Sequence, residues 1–378
     1  MNILVIPDKF KGTLTASEAA NAIARGWHKA RSRDAIELLP MSDGGDGFGE
    51  TLGNLLRAKI RTVRTLDAAR QACAASWWWD PKSKTAVIES ANVIGLAKLP
   101  PGQFHPFELD TFGLGAVICA AANKGAKRCI FGIGGSATND GGFGLARALG
   151  WEFWDRTDAR IQQWTELHRL ARISQPPRKR WFKELIVAVD VQNPLLGPRG
   201  ATRIYGPQKG LRSEDFSMAE KCLRRLALVF QRSKSRVPKP GKNFPRIPGA
   251  GAAGGLGFGL MAFAGARAEP GFRLFATLAN LDKRLRAANL VITGEGAIDA
   301  STFMGKGVGE IGRRCRKWKI PCIAIAGDLA APARANRLFA GAFALTDLTT
   351  VEAAKKNPGV WLERLAARLA RTWQEAKT

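Results

Sequence analysis

At 378 residues and 40.9 kDa the chain exceeds one ordinary hydrophobic core, so two domains are expected. Hydrophobic residues make up 46% and charged residues 24%, which excludes a mostly disordered or collagen-like chain. With 58 Lys and Arg against 32 Asp and Glu the formal charge is +26, leaving nucleic acid, acidic membrane and phosphorylated or acidic small molecules as partner classes.

Asn2 to Ile6 forms an apolar run suited to a buried parallel strand and stops at Pro7. That run is too short for a signal-peptide core, so a cytoplasmic location is expected. Thr15-x-x-Glu18 has the form of a capping box, and Ala19, Ala20, Ile23, Ala24 and Trp27 follow at helical spacing, predicting a helix over about 15–31. Ala35 to Leu39 reads as a second strand, and the loop Ser42 to Gly47 leads into a helical pattern at Phe48 to Ala58. Towards the far end the same beat returns: strand 290–293, loop GEGAID, helix 305–318, strand 322–326, strand 342–345 and a last helix 358–376.

Two such units before and three after a long central stretch predict a flavodoxin-like doubly wound parallel-sheet domain made of 1–60 and 285–378. It is interrupted by an inserted second α/β domain over 61–284. The insertion carries strand signals at 86–89, 128–133 and 185–189 and helical stretches at 111–123 and 214–232. Trp77, Trp78 and Trp79 show no periodicity. Ile247 to Ala266 is uncharged for twenty residues, but with Pro248 and seven glycines it reads as a buried segment rather than a membrane span. Lys221 to Arg246 holds nine Lys or Arg and no acid; a helix face followed by a solvated loop is the plain reading and a polyanion site the alternative.

The six cysteines form no CxxC pair, and none of the three histidines, His28, His105 and His168, lies in a glycine-rich loop. Zinc chemistry, a disulfide scaffold and His-based hydrolysis are therefore disfavoured. The most informative stretch is IGGSATNDGG, Ile133 to Gly142, between a strand and a helical pattern. Gly134 and Gly135 would let backbone amides approach phosphate oxygens, Ser136, Thr138, Asn139 and Asp140 supply polar groups, and the helix start would add positive potential. GxGxxA at 132–137 is an incomplete dinucleotide fingerprint, and Gly305-Lys306-Gly307 is not a Walker loop. Asp190 projects from a strand tip into DVQNPLLGPRG, a position that suits a general base or a magnesium ligand. Asp43, Asp46, Glu295 and Asp299 occupy similar loops. Lys9 and Lys11 flank Phe10 at the first strand tip and suit an acidic substrate.

Taken together, these residues resemble the bacterial glycerate kinases of the glyoxylate and glucarate pathways. The likeness runs through PDKFKGTL (7–14), MSDGGDG (41–47), GIGGSATNDGG (132–142), DVQNPLLGPRGA (190–201), YGPQKG (205–210), PGAGAAGGLGFGL (248–260), VITGEGAID (291–299) and IPCIAIAG (320–327). It departs at Lys9, where the family usually has serine, at Ala297, where it has arginine, and over 109–115, where it has TTSYGTG.

The resemblance implies ATP-dependent phosphorylation of D-glycerate to 2-phosphoglycerate with ATP and Mg2+ as cofactors. No specific nucleic acid and no membrane is expected as a partner. The expected catalytic residues are Asp190, Lys11 and Asp43. Lys9, Gly44 and Gly45 are expected on the substrate, Gly134, Gly135, Ser136, Thr138, Asn139 and Asp140 on the nucleotide phosphates, and Asp190 and Glu295 on the metal. Rival readings are a basic nucleic-acid-binding protein, which has no reading motif beside its charge, and a nucleotide-dependent hydroxyacid oxidoreductase.

Overall fold

The computed structural model describes residues 1–42, 44–45, 47–177, 180–233, 244–304 and 307–373. In chain order its strands are β1 (Asn2–Pro7), β2 (Ala35–Leu38), β3 (Lys59–Leu66), β4 (Ala72–Asp80), β5 (Thr85–Glu89), β6 (Arg128–Gly132), β7 (Glu152–Trp154), β8 (Arg172–Ser174), β9 (Glu184–Ala188), β10 (Arg267–Glu269), β11 (Leu290–Ile298), β12 (Cys322–Leu329) and β13 (Gly341–Ala344). They divide between two compact units, Met1–Asp43 with Phe272–Thr378, and Gly44–Gly271.

The first unit is a five-stranded parallel sheet in the order β13-β12-β11-β1-β2, which within this unit is the flavodoxin-like order 2-1-3-4-5. Ile3, Val5, Ile292, Ile323 and Ile325 form one core with Ile23, Trp27, Leu362 and Leu365. Leu4 and Ile6, alternating with them along β1, are equally buried, so both faces of the sheet are covered. The first helix runs Ala16–Ala30, and its start is the expected capping box: Thr15 Oγ1 accepts from Glu18 N, and Glu18 Oε2 accepts from Thr15 N. It packs on the helix Pro358–Thr372 through Gly26, where an added Cβ would lie 2.1 Å from the Glu363 carbonyl.

GEGAID departs from expectation. Rather than a loop, it continues β11 to Ile298, pairing Glu295 with Ala326 and Ala297 with Asp328 on β12. The glycines serve a close approach of chains, since a Cβ on Gly294 would meet the Ile325 carbonyl at 2.2 Å.

The second unit is built on a six-stranded sheet in the order β10-β9-β6-β5-β4-β3. β10, β9, β6 and β5 run parallel, and β4 and β3 are added antiparallel. The helix Phe48–Leu55 belongs to this unit rather than to the first, because it packs on β4 and β5. That moves the first crossing from near residue 60 to Asp43/Gly44, and the second lies at Gly271/Phe272. The tryptophan run is the middle of β4: Trp77 and Trp79 join the main core, while the Trp78 ring occupies the space beside Gly49 and Gly53, where an added Cβ would clash at 2.0 and 2.2 Å.

The uncharged 247–266 stretch contains the buried helix Ala252–Ala264, and no helix among the described residues is long and apolar enough to cross a membrane. The basic tract begins on the helix Phe216–Arg232, whose Cys222, Leu223, Leu226 and Phe230 face the core while Lys221 and Arg224 face outward. Residues 234–243 lie outside the described residues.

Candidate active site

In the second unit three loops gather at the carboxyl ends of β6 and β9. Gly134 N donates to the Gly44 carbonyl at 3.2 Å, and a Cβ on Gly134 would lie 2.6 Å from Gly45 Cα. Gly44 in turn sits against the last residue of β9, with 3.3 Å between a notional Cβ and the Ala188 carbonyl. Gly44 has φ +104°, a left-handed conformation that excludes most side chains, so the glycine is needed for conformation as well as for space. Asp190 follows two residues beyond Ala188 and is half-buried. Gly44–Gly45, Gly134–Ser136 and the approach to Asp190 therefore form one cluster, as expected of ligand-binding loops on an α/β sheet. Asp43 and Asp46 lie outside the described residues.

The two halves of the 133–142 loop differ. Gly135 is exposed and Gly134 half-buried, whereas Thr138, Asn139 and Asp140 are fully enclosed. Asp140 Oδ2 accepts from Thr111 N (3.0 Å), Thr111 Oγ1 (2.7 Å) and Gly144 N (2.9 Å), and Oδ1 accepts from Gly142 N (3.0 Å). Leu145 N donates to Thr111 Oγ1. The amides at the start of the helix Phe143–Ala148, expected to face a phosphate, are thus taken by the protein's own Asp140 and Thr111. Burial and the neighbouring Asp110 push the Asp140 pKa up, and the Gly144 and Thr111 donors pull it down. Asn139 Nδ2 donates to Thr202 Oγ1 at 3.2 Å. Gly254 closes over this half so tightly that a Cβ there would meet the Thr138 carbonyl at 1.9 Å. The divergent 109–115 segment belongs to the same scaffold, since Asp110 is ion-paired with Arg70 at 2.5 Å and Thr111 is fully buried.

A second carboxylate acts alike: Glu89, at the tip of β5, accepts from Gly47 N (2.8 Å) and Gly49 N (2.9 Å) at the start of the helix Phe48–Leu55.

Beneath the loop lies Lys209, a residue that sequence reasoning left inside the YGPQKG motif without a role. It is 6% exposed, and its Nζ donates to the Thr138 carbonyl at 2.6 Å and to Ser136 Oγ at 3.2 Å. Burial lowers its pKa to about 7, with Asp140 acting in the opposite sense. A lysine between Gly, Pro and Gly reads as an exposed turn, and its motif was the only signal available in the chain.

In the first unit the carboxyl ends of β1 and β11 carry a separate group. Asp8 N donates to the Gly294 carbonyl at 2.7 Å and Lys9 N to Asp8 Oδ1 at 2.7 Å, leaving Lys9 half-buried and Lys11 exposed. Gly296 faces the Lys11 amide, 3.0 Å from a notional Cβ. Glu295 is half-buried and accepts from Thr302 Oγ1 at 2.7 Å. Asp299 accepts from Ser301 N and Oγ in its own turn, and the Ser301 hydroxyl bond holds its pKa below the usual carboxylate range. Ala297, where the resembling family has arginine, is exposed.

The glycerate kinase family model matches residues 3–374. The chain belongs to the glycerate kinase family. Among its relatives are a glycerate kinase of Halalkalibacterium halodurans, 37% identical over 87% of this chain and 86% of the relative. The glycerate 2-kinase of Escherichia coli is 36% identical over 87% and 86%. A solved structure named for glycerate kinase 2 of Salmonella typhimurium LT2 superposes with a TM-score of 0.82 at 33% identity, covering 98% of each chain. The two-unit α/β architecture accords with that likeness, and the protein is a kinase.

Proposed function

We propose that this family member transfers the γ-phosphoryl group of ATP to D-glycerate, giving 2-phosphoglycerate, with Mg2+ as the metal. The observation that carries the reading is the cluster of Gly44–Gly45, Gly134–Ser136 and the Asp190 loop in a chain matched to the glycerate kinase family from end to end. Small backbone-lined turns suit the approach of phosphate oxygens, and a half-buried carboxylate at a strand tip suits a hydroxyl that must lose its proton.

In this reading Gly134, Gly135 and Ser136 contact the nucleotide phosphates. Thr138, Asn139 and Asp140, enclosed as they are, shape the turn rather than touch ligand. Asp190 orients the acceptor hydroxyl and takes its proton. Gly44 and Gly45, on the same cluster, are assigned to the acid. Catalysis is then largely positioning and charge neutralisation.

Among the described residues no group of three or more His, Cys, Asp or Glu gathers as a metal site. Mg2+ is usually held by one or two carboxylates plus phosphate oxygens and water. Asp190 is the carboxylate we assign to it, and the bound ion would neutralise phosphate charge.

A coupled ADP-release assay with MgATP and D-glycerate, L-glycerate and related hydroxyacids tests the reading. D-glycerate should give the highest turnover, with the product phosphorylated at carbon 2 by NMR. No ADP release above background with any of these acids would overturn it.

A further inference from the structure

A buried lysine ordinarily has a carboxylate beside it, because an unpaired charge in a low-dielectric interior is costly. Among the described residues no carboxylate forms an ion pair with Lys209; Asp140 acts on it electrostatically, but its oxygens are occupied by Thr111, Gly142 and Gly144. What Lys209 does touch is the turn assigned to phosphate: Ser136 Oγ and the Thr138 carbonyl on either side of Ala137. The far side of that turn is fixed by other partners, with Leu96 N donating to the Gly135 carbonyl and Ala137 N to the Ile94 carbonyl, both at 2.8 Å. The amine therefore holds the Ser136–Thr138 end of the turn, and the exposed Gly135 precedes it in the chain.

We propose that Lys209 is a positioning residue for phosphotransfer: its amine ties Ser136 to Thr138 and so holds the Gly134–Ser136 turn in shape, and a phosphate group bound on that turn supplies the counter-charge that draws the amine into its ammonium form. The inference rests on the assignment of that turn to the nucleotide phosphates. It has a thermodynamic signature that a purely structural lysine would not produce. Burial leaves the free amine poised near neutrality, at about 7. An anion nearby favours the charged form, so at a pH above that value nucleotide binding takes up a proton from solvent, and affinity falls as pH rises.

The test is calorimetric titration of the full chain with MgATP near pH 8, where the nucleotide is itself deprotonated, in two buffers of different ionisation enthalpy. The wild-type protein should take up about half a proton or more per nucleotide. Lys209→Met, which keeps the length of the side chain and removes the amine, should abolish the uptake and weaken MgATP about tenfold or more near pH 6.5. Lys209→Arg, permanently charged, should bind without pH dependence. Absence of proton uptake in the wild type, no binding of MgATP at all, or a Lys209→Met variant with unchanged affinity and pH profile would each overturn the assignment. If the methionine variant does not fold, the wild-type buffer comparison decides alone. ADP release separates this inference from the glycerate kinase reading: turnover without proton uptake removes Lys209 and keeps the activity, while uptake without turnover on glycerate does the reverse.

Discussion

Asp140 offers the clearest separation of scaffold from ligand contact, because its place in the glycine-rich loop pointed to the nucleotide phosphates and its surroundings point elsewhere. Its carboxylate is fully buried and accepts four hydrogen bonds, at 3.0, 2.7, 2.9 and 3.0 Å, three of them from backbone amides. Asp140→Ala leaves the amides of Thr111, Gly142 and Gly144 without their acceptor. A buried donor stripped of its partner costs about 1–3 kcal/mol. Partial relaxation keeps the three from adding fully, so the expected loss is about 3–5 kcal/mol. In a unit of this size that corresponds to a melting midpoint lower by roughly 6–20 °C. Asp140→Asn can place its carbonyl towards Thr111 and Gly144 but then presents an NH2 to the Gly142 amide, so its loss should be smaller, about 1–3 kcal/mol. Differential scanning calorimetry and urea denaturation of the two variants check the order, alanine worse than asparagine and asparagine worse than wild type. An alanine variant within about 1 kcal/mol of wild type that nevertheless loses MgATP binding would refute the scaffold argument and return Asp140 to the ligand.

Asp190→Asn keeps size and turn preference while removing the charge, so kcat on D-glycerate should fall roughly 100-fold or more with the melting midpoint unchanged; near-normal kcat in a folded variant removes Asp190 from the mechanism. Lys209 has its folded pKa lowered to about 7 from 10.5, so between those values the unfolded chain binds more protons and stability rises with pH. Denaturation midpoints of the wild type should climb from about pH 7 towards pH 10, and Lys209→Met should lack that slope and be the more stable protein below neutrality; equal slopes would show that the amine is not desolvated as described. Gly254→Ala combines a backbone at φ +68° with a Cβ 1.9 Å from the Thr138 carbonyl, and should cost about 2–4 kcal/mol by thermal or urea denaturation; a loss under about 0.5 kcal/mol would mean that the cover over the loop gives way freely.

How much of the fold was legible follows from how local its causes are. The capping box at Thr15 and Glu18 and the apolar runs of β1, β5, β6, β9, β11 and β12 each lie within a few consecutive residues, and each formed about where its pattern stands. The β3–β4 pair was not legible. Lys59–Leu66 leaves mostly exposed side chains and lacks a long apolar run, and the tryptophans of β4 obscure its alternation because both faces there are covered, one by the main core and the other by Gly49 and Gly53. GEGAID misled for a related reason. Glycine is permissive in a turn and also the residue that lets two backbones meet, and only the position of β12 and of the Lys11 amide decides between the two uses.

The site divides along the same line. Glycine and polar residue types between a strand and a helix were enough to locate the 133–142 loop, because strand, loop and helix are consecutive in the chain. They could not show which of its groups face outward, since a hydroxyl or carboxylate reads alike whether its partner is a ligand or a residue 29 positions away, as Thr111 is from Asp140. Two quantities that exist only after folding make the decision, enclosure and prior occupancy of hydrogen-bonding capacity. By enclosure Ser136, Thr138, Asn139 and Asp140 all lie inside the protein, and by occupancy Asp140 is wholly committed to it, so Gly134 and Gly135 are the groups best placed to meet a substrate. Lys209 is the complementary case: a cation that composition would assign to the surface is held inside, among partners that are neutral. It stands against the turn assigned to phosphate, whereas Lys221, Arg224 and Arg246 of the basic tract are exposed. On the proposed assignment phosphoryl transfer rests on the Gly134–Ser136 turn, Asp190 and Lys209, so the general excess of positive charge is not required for it.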